Sequence, residues 1–101
     1  MKYLIISRPG ETTAREVTRE TLQQGKRMLR DGLERGVIEG AYTLAGGGNV
    51  LIVNADSHET LARGLRKLRA VVGAPHVEVH PILDTADVFE AYEKQFRENN
   101  S

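Results

Sequence analysis

Apolar positions along this chain change their period in a fixed order. Tyr3, Leu4, Ile5 and Ile6 run together, and Pro9-Gly10 stops them. Residues 2–8 therefore read as a strand with apolar residues on both faces, hence a central one. A helical period follows. Thr13-Ala14-Arg15-Glu16 fits a capping box with Thr13 as N-cap, and the helix it opens runs to Arg35 and ends at Gly36. Val37 to Ala45 reads as the second strand. Gly46-Gly47-Gly48-Asn49 forms a hairpin turn, since Gly and Asn tolerate positive φ. Val50 to Val53 is a strand, again apolar on both faces. Asp56 or Ser57 caps a second helix whose Leu61, Leu65, Leu68 and Val72 keep helical spacing until Gly73 and Pro75. His76 to Leu83 alternates as a fourth strand. Asp84-Thr85 caps a short C-terminal helix or arm from about 85, with Phe89, Tyr92 and Phe96 on one side, and the tail from Glu98 to Ser101 is expected to fray.

Two β-α-β halves in succession, each with a right-handed crossover, put both helices on one face of a sheet. The other face is then bare, and it carries too many apolar residues for open solvent. The pattern predicts one α+β domain over residues 1–101, a β-α-β-β-α-β sandwich with an antiparallel four-stranded sheet. A second copy packs sheet to sheet, with Phe89, Tyr92 and Phe96 as additional contacts on the neighbour. The first helix is unusual. Its inward stripe runs Val17, Thr21, Gly25, Met28 or Leu29, Gly32 and Leu33, and the first half has little bulk. A mid-helix Gly costs about 1 kcal/mol against Ala. Such a stripe either packs closely on the sheet or leaves a pocket under Thr21 and Gly25.

Composition narrows the function. Fourteen Lys and Arg balance fourteen Asp and Glu, so no global field draws the chain to nucleic acid or an anionic membrane. Arg63, Arg66, Lys67 and Arg69 form a local basic stripe on the outer face of the second helix; without aromatic stacking partners it reads as a solvated face. The absence of net charge favours self-association. With no cysteine, disulfides, Cys-zinc sites and thiol catalysis are excluded. No apolar run approaches the roughly 20 residues of a membrane span, and the expected compartment is the cytoplasm.

His76, Glu78 and His80 alternate and so share one strand face. Two imidazoles flanking a carboxylate can hold a metal or move protons. Val77 and Val79 are the natural core-facing pair, which turns the His-Glu-His row toward the dimer side or solvent. No metal is expected, and His80 and Glu78 are the candidate acid-base residues. Tyr3 and Tyr42 are strand tyrosines able to orient an oxygenated ligand. Ser7 and Arg8 sit where the first strand meets the first helix, and Arg8 can clamp a carboxylate. With Thr21 and Gly25 they complete the candidate ligand-binding set. Gly46-Gly47-Gly48 is not a dinucleotide motif, because a strand rather than a helix follows it.

The ordered pattern resembles the dimeric α/β-barrel superfamily of ferredoxin-like domains. Leu44-Ala45-Gly46, a strand, and then Asp56-Ser57-His58-Glu59-Thr60-Leu61 are similar to the middle of muconolactone isomerases. His76-Val77-Glu78-Val79-His80-Pro81 and the Met1-Lys2-Tyr3-Leu4 start resemble YCII-related proteins. The resemblance implies the fold and the homodimer. It carries over neither family's catalytic residues: the isomerases' first-helix Glu falls near Gly25, and the YCII-related proteins' first-helix His has no counterpart. The expectation is a cofactor-free isomerase or cyclase acting on a small organic substrate. A cofactor-independent monooxygenase of the same superfamily and a non-catalytic ligand-binding or assembly module are the alternatives.

Overall fold

A computed structural model describes residues 1–8, 18–72 and 76–99. The expected stop at Pro9-Gly10, the Thr13–Glu16 capping box, the inward Val17, the stop at Gly73 and Pro75, and the last two residues lie outside these, as does the side chain of Val72.

Four strands and three helices follow in the order β1 (Lys2–Arg8), α1 (Arg19–Glu34), β2 (Ile38–Thr43), β3 (Asn49–Asn54), α2 (His58–Val72), β4 (His76–Ile82) and α3 (Thr85–Asn99). The strands lie in the order β2-β3-β1-β4, with every neighbouring pair antiparallel. This is the ferredoxin-like α+β sandwich. Apolar residues on both faces of β1 suit its central place.

The helix caps explain where each helix starts. Thr18 is the N-cap of α1: its Oγ1 accepts from the Thr21 amide at 3.1 Å, and Thr21 Oγ1 accepts from the Thr18 amide at 3.0 Å. Two orphan donors are thus satisfied reciprocally. At the other end Gly36 takes a φ of +72°, the left-handed closure that favours Gly. Ser57 caps α2, its Oγ accepting from the Thr60 amide at 3.1 Å. The β2–β3 turn uses positive φ at Gly47 and Gly48. A Cβ on Gly48 would also overlap the Ser7 carbonyl oxygen, so this turn abuts the end of β1. α3 continues to Asn99, two residues into the stretch expected to fray.

Strand parity sorts the sheet into two faces. Tyr3, Ile5, Ile38, Val53, Ala55 and Leu68 form the buried core on the helix side, with Met28, Leu51, Leu61, Leu65, Val77 and Val79 packed against it. The register puts Leu4 beside Ile52 and His80, and Ile6 beside Val50 and Glu78, on the opposite face. Among the described residues, no helix covers that second face. α3 contributes no side chain to the core, and the molecule is 63 Å long against 30 and 23 Å across.

Candidate functional site

Two glycines open the helix layer. Gly32 is buried in α1, and a Cβ there would overlap the end of the Ile38 side chain. Gly64 in α2 faces open space. Between the helices and the sheet lies a cavity of about 510 Å³, within the usual range for small-molecule sites. Its floor is Ile5, Leu51 and Val53, and its walls are Met28 and Ile38 on one side and Leu61, Leu65 and Leu68 on the other. The charged groups stand at the rim. Asp31 comes from α1 and Arg35 from its C-cap, paired at 3.3 Å, and Arg63 and Lys67 come from α2. An apolar floor with three cations and one carboxylate above it suits a small molecule with an oily body and an anionic group.

The sequence placed the cavity under Thr21 and Gly25. It lies one to two helical turns further on, at Met28, Asp31, Gly32 and Arg35. The side chain of Thr21 is instead engaged by its cap with Thr18, and its Oγ1 also donates to the Thr18 carbonyl at 3.0 Å. Gly25 is half-buried, and among the described residues no atom beyond its own stretch of helix comes within 4 Å of where a Cβ would stand. Tyr3 is 2% exposed, its hydroxyl 3.5 Å from His58 Nδ1 and 3.6 Å from Met1 Sδ. Ser7 is 1% exposed, and its Oγ has no partner among the described residues.

The other candidates lie on the sheet's second face. Arg8 ends β1 opposite His76. Tyr42 is exposed on the edge strand β2, its ring over Gly40. Glu78 Oε2 and His80 Nε2 are 3.4 Å apart and both exposed. The candidate residues are therefore divided by the sheet: Tyr3, Ser7, Thr21 and Gly25 on the helix side, Arg8, Tyr42, Glu78 and His80 on the other. None of the eight lines the cavity. The rim residues Asp31, Arg35, Arg63 and Lys67 were not singled out as a site. A signal existed in the two helix glycines, 32 and 64, each followed or preceded within three positions by charge.

A second polar cluster sits at the sheet end. A register irregularity between Ile38 and Gly40 turns Glu39 toward the second face. Its carboxylate accepts from Asn54 Nδ2 at 2.9 Å and from Lys2 Nζ at 3.1 Å. The Asn54 hydrogen bond first, and then that from Lys2, holds the Glu39 pKa below the ordinary carboxylate value. Hydrogen bonds to Glu39 and then Asp84 raise the Lys2 pKa. Among the described residues no group of three or more acidic or His side chains converges as a metal site, and no helix is long and apolar enough to cross a membrane.

Sheet order, crossover helices on one side and the groove between them define a ferredoxin-like domain. The family model of DUF3303, a domain of unknown function, matches residues 1–96, and the chain belongs to that family. No curated protein matches it in sequence. Among solved structures, its fold is similar to 5-chloro-2-hydroxyhydroquinone dehydrochlorinase from Burkholderia phenoliruptrix AC1100 in complex with 2,5-dihydroxybenzoquinone. The TM-score is 0.64 at 12% identity, over 86% of this chain and 98% of that one. At that identity the likeness concerns the fold alone.

Proposed function

We propose that this protein is a cofactor-free small-molecule enzyme of the isomerase or cyclase type, acting as a homodimer on an organic anion held between α1 and α2. The observation that carries the reading is the 510 Å³ apolar cavity with a charged rim. Support comes from the fold shared with a dehydrochlorinase that binds a dihydroxybenzoquinone, and from the local likeness of Leu44-Ala45-Gly46 and Asp56–Leu61 to muconolactone isomerases.

Asp31 is the only carboxylate among the described lining residues. It accepts a proton from a carbon beside the substrate carbonyl. The C–H pair moves into the carbonyl as an enolate, and Arg63 and Lys67 offset the new charge. The proton then returns to a neighbouring carbon, so one C–H bond breaks, another forms, and no oxidant is consumed. His80 and Glu78 lie across the sheet from this cavity and take no part in that step. A second reading, ligand capture without chemistry, is favoured by one observation: every ionisable lining group is at the rim and none at the floor.

The test uses a panel of cyclic carboxylates and hydroxyquinones, followed by amide shifts of the labelled protein. Binding should move the Gly32 and Gly64 amides. Gly64→Leu, which projects into the cavity, should abolish those shifts while the chain stays folded. Asp31→Asn should retain binding and lose turnover; binding without turnover in the parent protein selects the capture reading. If no compound moves either amide, the cavity is not a ligand site.

A further inference from the structure

We infer that α3 of one chain docks on the outer flank of α1 of a second copy, a contact separate from both the cavity and the sheet face. α3 places Phe89, Tyr92 and Phe96 at i, i+3 and i+7, which puts all three on one stripe. They are 62%, 56% and 65% exposed, and among the described residues α3 contributes no side chain to the core of its own chain. A helix with an aromatic stripe and nothing under it is stable only with a partner surface.

α1 presents a matching surface. Leu22, Leu29 and Leu33 recur at helical spacing and are 50%, 36% and 48% exposed. Leu29 is about 200° around the helix from Asp31, so this stripe is turned away from the cavity. The two helices are of similar length, 16 and 15 residues.

Charge selects the pairing. Arg19, Lys26 and Arg30 border the leucine stripe of α1. Glu93 borders the aromatic stripe of α3, Glu90 and Arg97 lie further round the same flank, and the helix's four carboxylates outnumber its two cations. Glu93 makes a long contact to Arg97, at 3.8 Å. Laid antiparallel and stripe to stripe, the helices bring the α1 cations against Glu93 and cover both apolar rows. The occupant is a second copy because the same chain supplies both stripes yet does not join them within itself.

The chain has no cysteine, so engineered thiols report cleanly. Leu29→Cys and Tyr92→Cys chains are mixed under mild oxidation and run without reductant. Both positions are mid-stripe, so either helix direction brings them together. A mixed disulfide dimer should form, at about tenfold the yield of a Gln23→Cys plus Tyr92→Cys control, because docking raises the local thiol concentration. Adding Lys26→Glu and Arg30→Glu to the Leu29→Cys chain should lower the yield, and adding Glu90→Lys and Glu93→Lys to the Tyr92→Cys chain should restore it. A yield equal to the control overturns the inference. So does a double Leu29→Cys, Tyr92→Cys chain that closes within one monomer, or a yield indifferent to the charge reversals.

Discussion

A Cβ on Gly32 would overlap the side chain of Ile38: α1 comes this close to β2 because position 32 carries only hydrogen. Ile38 is buried and β-branched, so its rotamer has little freedom to give way. Gly25, two turns earlier on the same face, meets no atom within 4 Å of a Cβ among the described residues beyond its own stretch of helix. Two glycines of one inward stripe thus have opposite consequences. Gly32→Ala gains helix propensity but overpacks the contact, for a net loss of about 1–2 kcal/mol. Gly25→Ala gains about 0.5–1 kcal/mol, because propensity is not opposed by a clash. Urea unfolding midpoints should move down for the first and up for the second. Movement in the same direction would mean that Ile38 does not set the approach of α1.

The pair also shows what a sequence can and cannot say. The order of elements along the chain, the hairpin, the helix layer and the split between Val77/Val79 and His76/Glu78/His80 follow from period and parity, which are local. The thin stripe of α1 was legible as either close packing or a pocket. It is both: packing at Gly32, with the cavity beside it toward Gly64. That choice depends on the distance between α1 and α2, which no single helix encodes. The candidate residues failed to converge for the same reason. Tyr3 and Tyr42 were both legible as strand tyrosines, but which face each takes depends on register, and β2 contains an irregularity at Glu39 that no pattern announced.

Lys2 lies between Glu39 at 3.1 Å and Asp84 at 3.3 Å, and this cluster sets a pH signature. The Glu39 pKa is lowered on folding, chiefly by Asn54 and then Lys2. Its contribution is present above the ordinary carboxylate value and is lost as pH falls through the lowered folded value. The Lys2 pKa is raised, chiefly by Glu39 and then Asp84. Its contribution is full below the ordinary lysine value and is lost as pH rises through the raised one. Glu39→Gln removes the charge common to both. The stability gap between parent and variant should be flat near neutrality, shrink below about pH 4, and shrink again above about pH 10.5. These groups are exposed, so the gap is small and narrows with salt. Urea titrations across pH giving a gap of constant size would show that the cluster is electrostatically idle.

The second face of the sheet makes the sharpest demand. Leu4 pairs in register with Ile52, and Ile6 with Val50, giving an apolar centre of four residues that no helix covers among the described residues. Tyr42 borders it on β2, and Glu78 and His80 border it on β4. An oily centre with a polar margin is the layout of a protein interface, and a two-fold axis lets one such face shield another. Leu4→Glu puts a carboxylate in the middle of that layer, where a packed partner leaves it unpaired and dry. The helix-side core does not contain Leu4, so the fold should survive. With Lys26→Glu and Arg30→Glu also present to weaken the α3–α1 contact, light scattering at micromolar concentration should show Leu4→Glu lowering the mean particle mass about twofold, toward the 11.2 kDa of one chain. An unchanged mass, or a parent protein already at 11.2 kDa, would mean that another copy does not cover this face.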